Sequence, residues 1–198
     1  MPNGIAGTSF RGTLVVVVGP SGAGKDTLIA RALERFSGRD DVHVVRRVIT
    51  RAEDAGGENH RGVAAGEFER MRQAGAFAVD WDAHGLSYGI PSCVHEKLAL
   101  GQLVIANGSR SALPRFASAF DPMLVVNVIA RPDVLAQRLE ARGRENREEI
   151  LRRLERSSLD VRGPFNVVTI DNSGDLADAA ERLIDTLAPL LRQPRATH

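Results

Sequence analysis

The sequence predicts an α/β fold in three layers, with a parallel central sheet of about five strands and helices on both faces. Two runs, Thr13–Val18 and Met123–Ile129, are almost entirely apolar, which is typical of strands buried on both faces. Segments with helical spacing of apolar residues separate the strand candidates, and such alternation favours a parallel sheet. Ligands of these sheets bind at the carboxyl ends of the strands, so we expect functional residues in the loops that follow them.

Each element is predicted from its pattern. Apolar runs bounded by glycine, proline or polar residues indicate strands, and these cover residues 13–18, 42–49, 77–81, 86–90, 102–106, 123–129 and 167–170. Apolar residues spaced three and four apart indicate helices, and these cover residues 25–36, 67–74, 92–100, 111–120, 131–142, 145–159 and 176–191. Pro132 suits the first turn of its helix. The polar, glycine-containing stretch over 50–66 predicts a loop.

Composition limits the classes of protein that remain. The chain has 198 residues, 43% hydrophobic and 26% charged, which fits one globular domain. We expect that domain over residues 13–191, with a flexible arm over 1–12 and a flexible tail over 192–198. A net charge of +1 and only 5% aromatic residues disfavour a nucleic-acid partner. A single cysteine, together with the lack of a signal or membrane-spanning run, predicts a cytoplasmic protein without a membrane partner.

The segment from residue 19 to residue 25 reads Gly-Pro-Ser-Gly-Ala-Gly-Lys and fits the phosphate-binding motif G-x-x-x-x-G-K. It lies between a predicted buried strand and a predicted helix, as that motif requires. Its glycines let backbone N–H groups surround a polyphosphate, and the helix N-terminus adds partial positive charge. Lys25 is one of only two lysines among 26 basic residues. We therefore predict a phosphate cradle for a nucleotide, formed by Gly19, Pro20, Ser21, Gly22, Ala23, Gly24 and Lys25, with Asp26 and Thr27 beside it.

The residue after the lysine departs from the usual motif, in which a Ser or Thr hydroxyl ligates Mg²⁺. Asp26 stands there, and Thr27 follows it. A carboxylate is also a hard oxygen ligand for Mg²⁺, and an acid is favourable in the first turn of a helix. Either Asp26 contacts the metal, directly or through water, or Thr27 does so after a small shift, or Asp26 only caps the helix.

Two loops should open near the cradle at the same edge of the sheet. The sequence ITR over 49–51 and GENHR over 57–61 follow the second strand, and NGSR over 107–110 follows another. Arg51 and Arg110 are candidates for bidentate binding of phosphate, and His60 is a weaker one. The carboxylates of Asp80 and Asp82 either accept hydrogen bonds from sugar hydroxyls or act as ordinary loop caps.

Residues 138–156 contain seven arginines and five glutamates. Arginine-rich closing segments can stabilise charge in a transition state and exclude water. The same mixture of charges is typical of a solvated pair of helices, and the glutamates offset most of the charge that nucleic acid would need. Arg138 and Arg142 share a helix face at i, i+4. We predict that this segment is a lid.

The order of cradle, acceptor loop and arginine lid resembles the guanylate kinase group, and within it the ribose 1,5-bisphosphate phosphokinases. The resemblance extends from about residue 13 to about residue 187. It rests on GPSGAGKDTL (19–28), RRVITRAEDAGGENH (46–60), HGLSYGI (84–90), NGSRSALP (107–114) and RLEARGRENREEI (138–150).

This resemblance implies a P-loop kinase fold with an acceptor-binding region over about 50–92 and a lid over about 138–156. It implies that ATP is the phosphate donor, with its adenine near the loops at 131–132 and 171–172, where Asn172 would bind it. The implied catalytic residues are Lys25, Arg138, Arg142 and Arg153. The implied substrate-binding residues are Arg51, Glu58, His60, Tyr88, Asn107 and Arg110.

Departures from true guanylate kinases favour an acceptor without a guanine base. In that group the acceptor loop carries two arginines and then Tyr-x-Phe, whereas here Arg51 matches the first arginine and Asp54 falls near the second. The stretch over 58–68 is too short for the tyrosine, and Val79 stands where a glutamate would read guanine. The aspartates at the end of the strand are replaced near Asn107.

The resemblance therefore predicts a kinase that uses ATP to phosphorylate the 1-phosphate of ribose 1,5-bisphosphate in phosphonate degradation. The products would be 5-phospho-α-D-ribose 1-diphosphate and ADP. No general base is expected, because the second pKa of a phosphate is about 6 and the acceptor is already anionic. One alternative is a guanylate kinase or another nucleoside monophosphate kinase, and another is a non-catalytic guanylate-kinase-like binding module. The expected partner is a small phosphosugar, and a homodimer stays open.

Overall fold

The computed structural model describes residues 12–53, 58–141 and 161–191. The predicted lid from residue 142 to residue 156, the predicted helix over 145–159, Asp54, and nearly all of the predicted arm and tail lie outside these residues. Along the chain the elements are β1 (Thr13–Val18), α1 (Lys25–Arg35), β2 (Val42–Val44), β3 (Val48–Ile49), β4 (Arg61–Gly62), α2 (Ala65–Gln73), β5 (Phe77–Ala83), β6 (Leu86–Pro91), α3 (Val94–Ala99), β7 (Leu103–Asn107), α4 (Leu113–Ala119), β8 (Met123–Ile129), α5 (Pro132–Glu140), β9 (Asn166–Asp171) and α6 (Leu176–Leu187).

The core is a five-stranded parallel sheet in the order β2-β7-β1-β8-β9. Successive side chains of β1 alternate between two hydrophobic clusters, with Val15 and Val17 in one and Leu14, Val16 and Val18 in the other. The first cluster lies under α1, α5 and α6, and the second lies under α3 and α4. Both faces of the sheet are therefore covered, which confirms the three-layer α/β prediction. Across the described part of the chain, no helix is long and apolar enough to cross a bilayer.

A smaller sheet, in the order β4-β3-β6-β5, stands beside the core. β5 and β6 form an antiparallel hairpin that turns at His84 and Gly85, both of which have positive φ, and the hairpin pairs Trp81 with Tyr88. The ring of Trp81 packs against Phe116 of α4, with 5.8 Å between the ring centroids. This aromatic contact anchors the small sheet on one face of the core sheet.

The structure corrects one predicted strand. The expected strand over 42–49 is wrong, because the chain leaves the core sheet near residue 45 and splits the segment into β2 and β3. The backbone N–H of Val45 still donates to Ile105 O at 2.8 Å, but Arg47 O accepts from the N–H of Arg61 at 2.8 Å. Two consecutive arginines cannot continue a strand that is buried on both faces, because a buried charge needs its own partner.

The predicted loop over 50–66 is also wrong in part. β4 forms within that segment, and α2 begins at Ala65. The N–H of Val63 donates to Ile49 O at 3.0 Å, which returns the chain to the small sheet after the acceptor loop. The remaining helices and strands within the described residues agree with the predicted ones to within a few residues at each end.

We expect Phe116→Ala to lower the free energy of unfolding by about 3–5 kcal/mol, because it leaves a cavity where the two sheets meet. Phe116 is fully buried. The exposed Leu100 (60% exposed) provides the control, and Leu100→Ala should change stability by less than about 0.5 kcal/mol. Urea denaturation followed by circular dichroism measures both changes. Equal stability of the two variants would contradict this packing role.

Candidate active site

The phosphate cradle begins where β1 ends and leads directly into α1. Gly19 and Gly24 both adopt positive φ, and a Cβ atom at either one would collide with a neighbour, Val128 O at Gly19 and the Asn172 amide at Gly24. Only glycine meets both conditions without strain. Gly24 also precedes the first residue of α1, so the free N–H groups of the helix start inside the cradle.

Lys25 is folded back onto the cradle. Its Nζ donates hydrogen bonds to Gly19 O and Pro20 O, both at 3.0 Å. The pKa of Lys25 is lowered to about 8, mainly by burial and also by the nearby Arg47 guanidinium, although the carboxylates of Asp26 and Glu58 oppose the shift. A phosphate bound in the cradle would take the place of these two carbonyls as the partner of the Lys25 ammonium group. Because the phosphate is negatively charged, it would favour the charged form of Lys25.

Asn107 connects the start of α1 with the acceptor loop. Its Nδ2 donates to Asp26 Oδ1 at 2.6 Å and lies 3.4 Å from Glu58 Oε2. Its Oδ1 is buried and, within the described residues, has no hydrogen-bond partner. Asp26 lines the cleft, whereas Thr27 is exposed and does not. A carboxylate and an unpaired amide oxygen thus meet beside the cradle, which is the kind of donor set that a hard cation and its water ligands accept.

Arg47 lines the cleft, although it was not among the site residues predicted from the sequence. Its guanidinium pairs in bidentate fashion with Glu58, through Nε to Oε2 at 2.9 Å and through Nη2 to Oε1. The side chains of Arg47 and Glu58 are only 8% and 13% exposed. The guanidinium carbon lies over two rings, 5.6 Å from the centroid of Trp81 and 5.2 Å from that of Tyr88. The sequence did contain a signal for this residue, because two consecutive arginines interrupt an apolar strand pattern. A buried arginine needs a partner of opposite charge.

Arg51 reaches the cleft, but His60 does not. His60 is 2% exposed, and its ring lies between Glu58 O at 3.0 Å from Nδ1 and Arg51 O at 3.3 Å from Nε2. Its Nδ1 is also 3.4 Å from Arg51 Nη2. His60 therefore braces the two ends of the acceptor loop from behind. Arg51 lines the cleft directly.

On the donor side, Asn172 supports the cradle. It is 1% exposed, its Nδ2 donates to Ala23 O at 2.8 Å, and its backbone N–H donates to Ile129 O at 2.8 Å. The backbone N–H of Arg131 donates to Ser173 Oγ at 2.8 Å, so the loops after β8 and β9 lie against each other. The predicted adenine site is flanked by these two loops.

Two arginines approach the cradle from neighbouring elements. Arg110 is half-buried, burial lowers its pKa, and its charge also depresses the pKa of Lys25. Arg138 lies on α5, and its Nη1 is buried without a hydrogen bond to any residue that the structure describes. A Cβ atom at Gly24 would be 3.9 Å from that nitrogen. Arg138 is thus positioned next to the cradle, whereas Arg142 and Arg153 lie outside the described residues.

The carboxylates of the small sheet do not enter the cleft. Asp80 and Asp82 both form salt bridges with Arg72, at 2.8 and 3.2 Å. A hydrogen bond from the Ser87 hydroxyl, followed by the Arg72 guanidinium, lowers the pKa of Asp82. Trp81 lies between them in sequence and faces the cleft instead. These two carboxylates are already paired with Arg72 in the structure, and their binding of sugar hydroxyls stays an untested alternative.

The cradle and part of the acceptor region line one cleft of about 480 Å³, whereas Arg110, Arg138 and Asn172 lie outside its lining. The predicted residues that line it are Gly19, Ser21, Lys25, Asp26, Arg51, Glu58, Tyr88 and Asn107. One half of the cleft is the phosphate cradle, and the other half carries two arginines, two aromatic rings and a carboxylate. A P-loop that faces a second anion-binding wall at the carboxyl edge of a parallel sheet defines a P-loop phosphotransferase of the kinase class.

Comparisons with known proteins agree with this class. The family model described as guanylate kinase matches residues 11–189, so the chain belongs to the guanylate kinase family. The chain is 60% identical to ribose 1,5-bisphosphate phosphokinase PhnN of Agrobacterium fabrum, over 88% of this chain and 95% of that protein. It is 56% identical to the protein of the same name from Rhizobium etli, over 92% and 93% of the two chains. The guanylate kinase of Anaplasma phagocytophilum shares the fold, with a TM-score of 0.65, 18% identity, and coverage of 93% and 89%.

The lowered pKa of Lys25 predicts that ATP binding weakens as the pH rises through about 8. Above that value the free protein loses the ammonium proton, and bound phosphates restore it by raising the pKa. Titration calorimetry in buffers of different ionisation enthalpy should therefore detect proton uptake on ATP binding near pH 8. Lys25→Met should bind ATP more weakly and without that uptake. ATP affinity that stays constant from pH 7 to 9 in the wild type would contradict this assignment.

Proposed function

We propose that the protein transfers the γ-phosphate of ATP to the 1-phosphate of ribose 1,5-bisphosphate, giving 5-phospho-α-D-ribose 1-diphosphate and ADP. The observation that carries this proposal is the intact phosphate cradle in one cleft with Arg47 and Arg51. The identity of 60% to a ribose 1,5-bisphosphate phosphokinase supports the choice of acceptor. We also propose that this reaction serves phosphonate degradation and takes place in the cytoplasm.

The donor half of the cleft binds ATP through backbone and lysine. The cradle N–H groups and the start of α1 hold the phosphates, and Lys25 leaves Gly19 O and Pro20 O to bind the β- and γ-phosphates. Asn172 keeps the cradle in shape through Ala23 O. Arg138 adds positive charge from α5, next to Gly24. We assign to Arg142 and Arg153 the same task of stabilising charge on the transferred group.

Asp26 is the residue best placed to hold Mg²⁺. Its carboxylate lines the cleft beside the buried Asn107 Oδ1, whereas the Thr27 hydroxyl is exposed outside it. When bound, Mg²⁺ supplies positive charge to the β- and γ-phosphate oxygens. Asn107 keeps Asp26 oriented towards the cradle through its 2.6 Å hydrogen bond.

The acceptor half positions an anion rather than a neutral hydroxyl. Arg51 and Arg110 would fix the phosphates of the acceptor, and Tyr88 contributes its ring to the wall of the cleft. The attacking phosphate oxygen is already ionised near neutral pH, since its second pKa is about 6. No side chain has to remove a proton, and catalysis consists of positioning and charge stabilisation.

A nucleoside monophosphate kinase is the second candidate, because the family model that matches is described as guanylate kinase. A non-catalytic binding module is disfavoured by the intact cradle, in which Gly19 and Gly24 keep positive φ and Lys25 lies beside them.

We expect ADP release with ribose 1,5-bisphosphate to exceed that with GMP by at least about a hundredfold in kcat/KM, because polar groups matched to one acceptor reject another. A coupled assay for ADP, with the two acceptors compared at equal ATP and Mg²⁺, measures the ratio. Faster turnover with GMP would replace our proposal with guanylate kinase activity. ATP binding without turnover on either acceptor would favour the binding module.

We expect Asp26→Asn to raise the Mg²⁺ concentration needed for half-maximal rate by at least roughly tenfold, because it removes the charge of the ligand. The amide oxygen can still accept from Asn107, so the melting temperature should change little. Thr27→Val is the matched control and should leave the Mg²⁺ dependence unchanged. The opposite pattern would assign the metal to Thr27.

A further inference from the structure

Arg47 lies against the aromatic surface of the acceptor half, in which Trp81 is buried and Tyr88 is partly exposed. Trp81 and Tyr88 stack with ring centroids 5.3 Å apart and planes inclined by only 5°. The guanidinium of Arg47 lies over both rings, within cation–π distance of each. A planar ligand that stacked on these rings would have to take the place of the Arg47 guanidinium.

Arg47 is held in that place from the opposite side. Glu58 accepts two of its hydrogen bonds, and Asn107 Nδ2 lies 3.4 Å from the same carboxylate. Both members of the pair are almost buried, at 8% and 13% exposure of their side chains. Separating a buried ion pair leaves two uncompensated charges, which costs more than a stacking contact returns.

We propose that the Arg47–Glu58 pair is the specificity element of the acceptor site, which excludes nucleobases and presents positive charge to a base-free phosphosugar. This inference rests on the proposed function, because it names how that same site chooses its acceptor. Arg47 bonds to Glu58 through Nε and Nη2, and among the described residues its Nη1 has no hydrogen-bond partner. A phosphate at Nη1 gains a charge-assisted hydrogen bond. Arg47 can keep its pair with Glu58 and its position over the two aromatic rings at the same time.

The pair therefore acts in two directions. A phosphosugar needs no aromatic surface, so it binds without disturbing Arg47. The base of a nucleotide is planar, as the guanidinium is, and would stack on the same rings. To do so it would have to displace Arg47 from its buried pair with Glu58. Specificity then arises from an obstruction to the wrong ligand as well as from attraction to the right one.

The chain provides its own reporter for this test, since Trp81 is its single tryptophan. With the donor site filled by ADP, GMP and ribose 5-phosphate are titrated while Trp81 fluorescence and binding heat are recorded. The two probes share a sugar phosphate and differ in the base. The variant is Arg47→Met with Glu58→Gln, which removes the pair without leaving an unpaired buried charge. The matched control is Arg46→Met with Glu53→Gln, a neighbouring pair at 3.2 Å whose side chains are more than half exposed.

In the wild type we expect GMP to leave Trp81 fluorescence unchanged. In the double variant at positions 47 and 58 we expect GMP to quench it and to bind at least about tenfold more tightly, as a stacked base should. Ribose 5-phosphate should bind more weakly to that variant, and the control should match the wild type for both probes. ADP binding and the melting temperature establish that each variant is folded.

Two results would overturn the proposal. One is a folded double variant at positions 47 and 58 whose affinity for GMP does not rise. The other is a wild type in which GMP already quenches Trp81, and this result decides the matter even if the double variant does not fold. Failure of the wild type to turn over ribose 1,5-bisphosphate would overturn the proposed function alone, because these binding measurements need no turnover.

Discussion

One chain of partly buried polar contacts joins the two halves of the cleft. It runs from Asp26 on α1 through Asn107 at the end of β7 to Glu58 and then to Arg47. The parallel register pairs Val17 of β1 with Asn107, which places that amide beside the phosphate cradle. A partly satisfied network in a low-dielectric site is costly, so each member fixes its neighbours. The positions of Asp26 and of the acceptor wall therefore depend on the same contacts.

The position of the small sheet depends on the pairing of Arg47 with Glu58. Arg47 leaves the core sheet because its charge cannot be buried there without a partner, and Glu58 provides the partner from the acceptor loop. The Arg47 guanidinium then covers Trp81, whose ring packs on Phe116 of the core. Two contacts thus attach the acceptor region to the main sheet. One is the ion pair between Arg47 and Glu58, and the other is the apolar contact between Trp81 and Phe116. Loss of either should loosen the acceptor wall and leave the cradle intact.

The core sheet and the cradle could be predicted because their signals are local. Val15 and Val16 mark a strand buried on both faces within a few residues, and the glycine-rich loop ends in Lys25 only six residues after Gly19. The acceptor half could not be predicted in the same way. The partner of Arg47 lies 11 residues away and is chosen by tertiary packing, and nothing local distinguishes a buried, bracing His60 from one that faces a ligand. Contacts between residues that are brought together by tertiary packing cannot be predicted from the local sequence pattern.

Three charged groups of the cleft are paired with other groups of the protein. Lys25 is bound to two backbone carbonyls, Asp26 to the amide of Asn107, and Arg47 to Glu58. A ligand must therefore replace an existing hydrogen bond of the protein. Its net gain in binding free energy is the difference between the new hydrogen bond and the one that is lost. Neutral carbonyls are weak partners for an ammonium group whose pKa has been lowered to about 8, so phosphate displaces them readily. A carboxylate that holds a guanidinium by two bonds is a strong partner, so the acceptor must bind beside it. Under the proposed function, the unequal strength of these internal partners would make the donor half receptive to a polyphosphate and the acceptor half selective.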